Sequence, residues 1–186
     1  MALPLLTPRL RLRGPQAEDF EPLFEGLWSN PSVMRFVGAP SGAPRPRTVA
    51  QERFAWSRDL FARTGMALWT VEQRSDGQVI GDCGVIPIEG NGPMIELGYR
   101  LRPEVWGRGL ATEAARAAMT HAMAPTSEGG LGLPRLVAVV DPNNTASSRV
   151  LEKVGLRYVG MTDRYYGSAH ALYEAHRAPP TRPTDR

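Results

Sequence analysis

Two glycines one residue apart, Gly107 and Gly109, stand inside Trp106-Gly107-Arg108-Gly109-Leu110-Ala111-Thr112. Glycine has no Cβ and accepts positive φ, so such a pair lets the backbone approach a ligand and turn its N–H groups inward. Directly afterwards comes Glu113-Ala114-Ala115-Arg116-Ala117-Ala118-Met119, rich in strong helix formers. A helix start adds unpaired N–H groups and a dipole that favours negative charge. Two readings stand side by side: a phosphate cradle, or a glycine-rich turn that only caps a helix.

Spacing narrows the phosphate. A P-loop ends in Gly-Lys-Ser/Thr, whereas Gly109 is followed by Leu110 and Ala111. A dinucleotide fold places its glycines after an early strand, with an acidic residue downstream on a second strand. Here the loop lies past the middle of the chain, and no repeating strand–helix–strand pattern surrounds it. A pyrophosphate carried by coenzyme A fits what remains.

Other reactive side chains are sparse. Cys83 is the one cysteine, so neither an internal disulfide nor a thiolate metal cluster is expected. It sits in a strand pattern, Val79 to Val85, which predicts a packed, inert thiol. His121, His170 and His176 show no ligand spacing, so no metal is expected. The net charge is +3, and 22 residues are basic, of which only Lys153 is lysine. Arg9, Arg11 and Arg13 alternate and would share one strand face, either as a solvated face or as a nucleic-acid stripe.

The elements around the loop follow from periodicity. Strands are expected over 6–13, 67–74, 78–86, 94–101, 136–140, 156–163 and 169–175. Ser75-Asp76-Gly77 reads as a hairpin turn. Helices are expected over 19–28, 48–63, 110–123 and 145–154, with a short helical turn after Pro31. Asn144 can cap the last helix and Gly155 can end it. Two loops are expected to be mobile, 38–47 and 125–134. The 186 residues suggest one domain over 1–177 and a disordered proline-rich tail over 178–186. No apolar run reaches transmembrane length, and the opening apolar block is too short for a signal peptide, so a cytoplasmic bacterial enzyme is expected.

The order of these elements, together with three patches, resembles the GNAT superfamily of N-acetyltransferases. The patches are Thr7-Pro8-Arg9-Leu10-Arg11-Leu12-Arg13, the strand Ile95-Glu96-Leu97-Gly98-Tyr99 with its glycine loop, and Asn144-Thr145-Ala146-Ser147 through Gly155-Leu156. They look most like the branch that includes ribosomal-protein N-terminal acetyltransferases. The resemblance implies a mixed α/β (α+β) fold. Its central sheet would be mostly antiparallel, about six to seven strands flanked by helices. A splayed parallel strand pair would form the coenzyme A cleft.

It also implies acetyl-CoA as cosubstrate. The pyrophosphate would lie on Trp106, Gly107, Arg108, Gly109, Leu110, Ala111 and Thr112, and the pantetheine arm would run between strands ending near Leu101 and Val140. Asn144 and Ser147 would face that arm; Asn144 is equally a helix cap. A primary amine, of a protein N-terminus or a small molecule, would attack the thioester directly. Glu96 is the implied base, or else a strand carboxylate paired with Arg100. Many members place a proton-donating tyrosine where this chain has Leu151. Ser147, one turn earlier on the same face, is the implied acid, or else a first-turn serine bonding the backbone. Rival readings are a catalytically weak coenzyme A-binding sensor and a ribosome- or RNA-associated module. Direct nucleic-acid contact is otherwise not expected, and a monomer or homodimer is.

Overall fold

The computed structural model describes residues 3–37 and 43–177. The expected tail over 178–186 and residues 38–42 of the proline-rich loop expected over 38–47 lie outside the described residues. Within them the sheet has eight strands: β1 (Leu5–Leu6), β2 (Leu10–Arg13), β3 (Ala67–Gln73), β4 (Val79–Pro87), β5 (Ile95–Leu101), β6 (Arg135–Val140), β7 (Arg157–Thr162) and β8 (His170–His176). Their spatial order is β1-β2-β3-β4-β5-β6-β8-β7. Every neighbouring pair is antiparallel except β5 and β6.

The eighth strand corrects the expected six to seven. The sequence reads 6–13 as one strand, but the chain turns over Thr7-Pro8-Arg9, so that β1 folds back on β2 with Leu6 opposite Arg11. Thr7 closes the turn, its hydroxyl accepting from the Leu10 amide at 2.9 Å. Arg9 therefore leaves the face it was expected to share with Arg11 and Arg13.

Helices cover both faces. On one lie α4 (Leu110–Met123) and α5 (Thr145–Val154). Their buried residues join Leu97, Leu101, Leu136 and Ala138 in one apolar core. The buried stripe of α4 is largely alanine, at 114, 115, 118 and 122. Small side chains let its axis approach the sheet, which brings its N-terminus to the end of β5. On the other face a run of helical turns from Ala17 to Trp28 that includes α1 (Phe20–Leu23), the short α2 (Pro31–Met34) and α3 (Arg47–Thr64) form a second core around Leu27, Trp28 and Phe54. Gly65 at φ 74 ends α3, and Gly155 at φ 101 ends α5, both in the left-handed conformation that glycine reaches without strain.

The segment over 125–134, expected to be mobile, is stitched down. Leu131 and Leu133 donate to the carbonyls of His121 and Ala122 at 3.1 and 2.9 Å, and Gly132 donates to Ala124 at 2.8 Å. These bonds satisfy the carbonyls at the end of α4, which otherwise lack helical partners.

Candidate active site

The loop before α4 has the expected backbone. Gly107 and Gly109 have φ of 74° and 76°, and Gly109 is the N-cap of α4. A Cβ on Gly107 would meet nothing within 4 Å. The space is open, and the glycine is needed for its φ. The first backbone bond of the helix runs from Glu113 N to Gly109 O, at 3.1 Å. The amides of Leu110, Ala111 and Thr112 precede it and have no acceptor within the helix, the arrangement that suits an anion. Trp106 anchors the loop by donating its indole N–H to the Leu101 carbonyl at 2.7 Å, while its ring stays half exposed.

The N-terminal turn buttresses this loop. Glu113, in the first turn of α4, accepts from the Thr7 hydroxyl at 2.6 Å, the Arg9 amide at 2.9 Å and the Arg9 guanidinium. Arg9 also donates to the Arg108 carbonyl at 2.8 Å. Burial works to raise the Glu113 pKa, but these bonds outweigh it and hold the carboxyl below its ordinary value. Arg11 and Arg13 both pair with Glu72, and Arg13 also forms two 2.7 Å bonds to buried Asp19. All three arginines pair with carboxylates of their own chain.

Between β5 and β6 a single parallel pair, Glu96 with Val137, is in register. Beyond it the strands diverge. The opening is a cavity of about 670 Å³, walled by both strands, by α3 residues such as Arg53 and Trp56, and by Asn144, Ser147 and Tyr166. Side chains alternate along β5, so Leu97, Tyr99 and Leu101 enter the core under α4 and α5, while Glu96 and Arg100 take the opposite face.

Glu96 does not pair with Arg100. Arg100 is held by both oxygens of buried Asp82 on β4 and lies over the Trp28 ring. Glu96 instead accepts from the Tyr166 hydroxyl at 2.5 Å. Its carboxyl is buried, and burial pushes its pKa up to about 7; Tyr166, the Val139 amide and Arg53 pull back only in part. Tyr166 itself is clamped by Glu89, which accepts its backbone amide at 2.6 Å, and its φ is 57°. A carboxyl near neutrality in a cleft can exchange a proton with an amine.

Across the cleft, Asn144 caps α5, its side-chain oxygen accepting from Ser147 N at 3.1 Å. That leaves the carboxamide N–H groups of Asn144, which lines the cavity, for other partners. Ser147 does not bond back to its own helix through its hydroxyl. Its Oγ is 2.8 Å from the Tyr99 hydroxyl, which also donates to the Ser147 carbonyl at 2.9 Å. A phenol has one proton, so with that proton on the carbonyl the serine donates to Tyr99. Burial raises the Tyr99 pKa and keeps the phenol protonated. Leu151 lies one turn on, fully buried, also at the cavity wall.

Three participants were not legible as such. Tyr99 stands in the quoted β5 patch but received no role. Tyr166 and His170, whose rings meet edge-on at 6.0 Å, come from the segment around β8 and reach the cleft only through the fold. Cys83 is fully buried and its pKa is raised by burial, as an inert packed thiol requires. Among the described residues no group of three or more His, Cys, Asp or Glu side chains could hold a metal, and no helix is long and apolar enough to cross a membrane.

Known proteins resemble this chain in sequence and fold. The family model described as an acetyltransferase (GNAT) domain matches residues 9–157. YkkB of Bacillus subtilis is 35% identical over 172 residues, covering 91% of this chain and 94% of that protein. The crystal structure of an acetyltransferase from Agrobacterium tumefaciens superposes with a TM-score of 0.76 at 27% identity, covering 95% of this chain and 96% of the other. RimJ of Mycobacterium smegmatis, solved in complex with a CoA-disulfide, superposes at 0.70 with 21% identity over 90% of this chain and 81% of its own. Fold, loop and splayed strands agree with the family match: the chain belongs to the GNAT acetyltransferase family.

Proposed function

We propose that this chain moves an acetyl group from acetyl-CoA to a primary amine by direct attack within a ternary complex. The observation that carries the reading is the buried carboxyl of Glu96 on one wall of the strand opening, with the hydrogen-bonded pair Ser147 and Tyr99 on the other. Acetyl-CoA supplies the activated acetyl group, and the protein's own residues do the rest. The amides over 107–112 hold the pyrophosphate, Asn144 offers its carboxamide to the arm, and the edges of β5 and β6 near Leu101 and Val140 align it. Glu96, as carboxylate, takes the proton that the attacking ammonium must lose, directly or through one water. Ser147 gives its hydroxyl proton to the departing sulfur and takes one back from solvent, while Tyr99, bonded to Ser147, orients that hydroxyl. Holding amine and thioester in line contributes further, because the bimolecular encounter becomes effectively unimolecular.

Calorimetry with acetyl-CoA, followed by a thiol-release assay on a broad amine panel, tests this. Binding and amine-dependent thiol release are expected. Binding without turnover of any amine would instead make the chain a coenzyme A-binding sensor.

A further inference from the structure

The amine side of the cleft carries more positive charge than its own carboxylates neutralise. Three arginines line it: Arg45, Arg53 and Arg100. Arg100 is matched by Asp82. Among the described residues, Arg45 and Arg53 have no ion-pair partner. The Arg45 Nε is buried and finds no acceptor among them. The neighbouring stretch Gly38-Ala39-Pro40-Ser41-Gly42 has no acid to offer it. Arg53 is flattened over the Trp56 ring at 4.5 Å. The Glu89-Gly90 turn presses so close that a Cβ on Gly90 would stand 2.9 Å from its Nη1.

The other acids at the wall are engaged or turned outward. Asp141 accepts from Asn143 through one oxygen, at 2.8 and 3.0 Å, and Glu52 is exposed. Burial first, and then Arg100 and Arg53, lower the pKa of Arg45; burial also lowers that of Arg53, with Tyr166 and Glu96 offsetting it only in part. Cations taken out of water without a counter-charge destabilise a fold. A guanidinium fork is the side chain best matched to a carboxylate.

We propose that the acceptor is a small amino-carboxylic acid, held through its carboxylate by Arg45 and Arg53 with its amine facing Glu96. This rests on the transfer reading above. The same two cations disfavour an ammonium beside them, which helps present the amine in its neutral, nucleophilic form.

The test compares matched pairs in the thiol-release assay: each of the common amino acids and its own primary amide, with acetyl-CoA saturating. At least one amino acid should be acetylated with kcat/KM about tenfold or more above its amide, about 1.4 kcal/mol or more of discrimination. Arg53→Gln and Arg45→Gln should pull that ratio towards one, with folding checked by circular dichroism. Equal rates for acid and amide, or turnover confined to peptides with amidated C-termini, would overturn this proposal and leave acetyl transfer intact. Should no amine be turned over, the transfer reading fails by itself. Calorimetry of the same pairs against coenzyme A-saturated protein then decides the carboxylate question. Tighter binding of the acids supports it, and no preference overturns it.

Discussion

Replacing Glu96 with glutamine separates the catalytic and structural consequences of one buried carboxyl. Its pKa lies near 7, against an ordinary 4.5, because burial disfavours the charged form. A raised folded-state pKa means that folding favours the protonated acid. The contribution of Glu96 to stability is then fully present below the unfolded value, near 4.5, is lost as pH rises towards 7, and levels off above. The shift of about 2.5 units corresponds to about 3 kcal/mol. Glutamine has the shape of the neutral acid and can still accept from Tyr166. Glu96→Gln should therefore melt together with the parent near pH 4.5 and about 6–12 °C above it at pH 8. At the same pH it should lose the rate that depends on the base.

The parent kcat/KM should rise with pH through an apparent pKa of about 7. Tyr166→Phe removes the 2.5 Å bond that favours the carboxylate. A hydrogen bond to a charged group is worth about 1.5–3 kcal/mol, so the limb should move up by about a unit or more. Activity at pH 7 would then fall about fivefold or more and recover at higher pH. Arg45, Arg53, Arg100, Glu52, Glu89, Asp141 and His170 surround the same space, so the variants must make the assignment. Differential scanning fluorimetry from pH 4 to 9 and initial rates over the same range are the assays. Parallel melting curves for Glu96→Gln and parent would refute the raised pKa. An unmoved rate limb in Tyr166→Phe would assign it to another group.

Gly109→Val forces a β-branched residue into φ 76°, at about 1–2 kcal/mol, and screens the loop amides; calorimetry should find acetyl-CoA binding lost while cooperative melting persists. Ser147→Ala should lower kcat by about 10²-fold with acetyl-CoA affinity unchanged, and Tyr99→Phe should act in the same direction; parallel losses of affinity would instead mark both as structural. Asp19→Ala strips half-buried Arg13 of two 2.7 Å bonds and Thr70 of one at 2.8 Å while Glu72 still pairs with Arg13, so urea unfolding should show a loss of about 1–3 kcal/mol. Acetyl-CoA affinity per folded molecule should not change, because this network faces away from the cleft.

Local chemistry made much of this protein legible from the chain alone. The alanine-rich run after Gly109 could only be a helix, and the observed bounds, Leu110–Met123, match those expected. Gly107 and Gly109 needed positive φ to be useful, and they have it. Asn144 and Gly155 mark the ends of α5 because capping depends on neighbours within a few residues. The alternation that predicted strands also fixed which β5 side chains oppose one another.

Longer-range choices were decided elsewhere. Whether Glu96 would meet Arg100 or another group depended on Asp82 of β4, opposite Arg100 in the sheet, which claims that arginine first. Tyr166 reaches Glu96 across 70 residues, and Tyr99 reaches Ser147 across 48. Neither contact leaves a trace in spacing. The fold back at Thr7-Pro8-Arg9 was hidden because Leu10-Arg11-Leu12-Arg13 alternates as a strand and the residues before it can extend the pattern. Beside the local Thr7–Leu10 bonds, the anchoring of Thr7 and Arg9 on Glu113, in a helix more than a hundred residues later, holds that turn. Periodicity reports which face a side chain takes, whereas a site is made where faces from distant segments meet, and burial there sets the proton affinities.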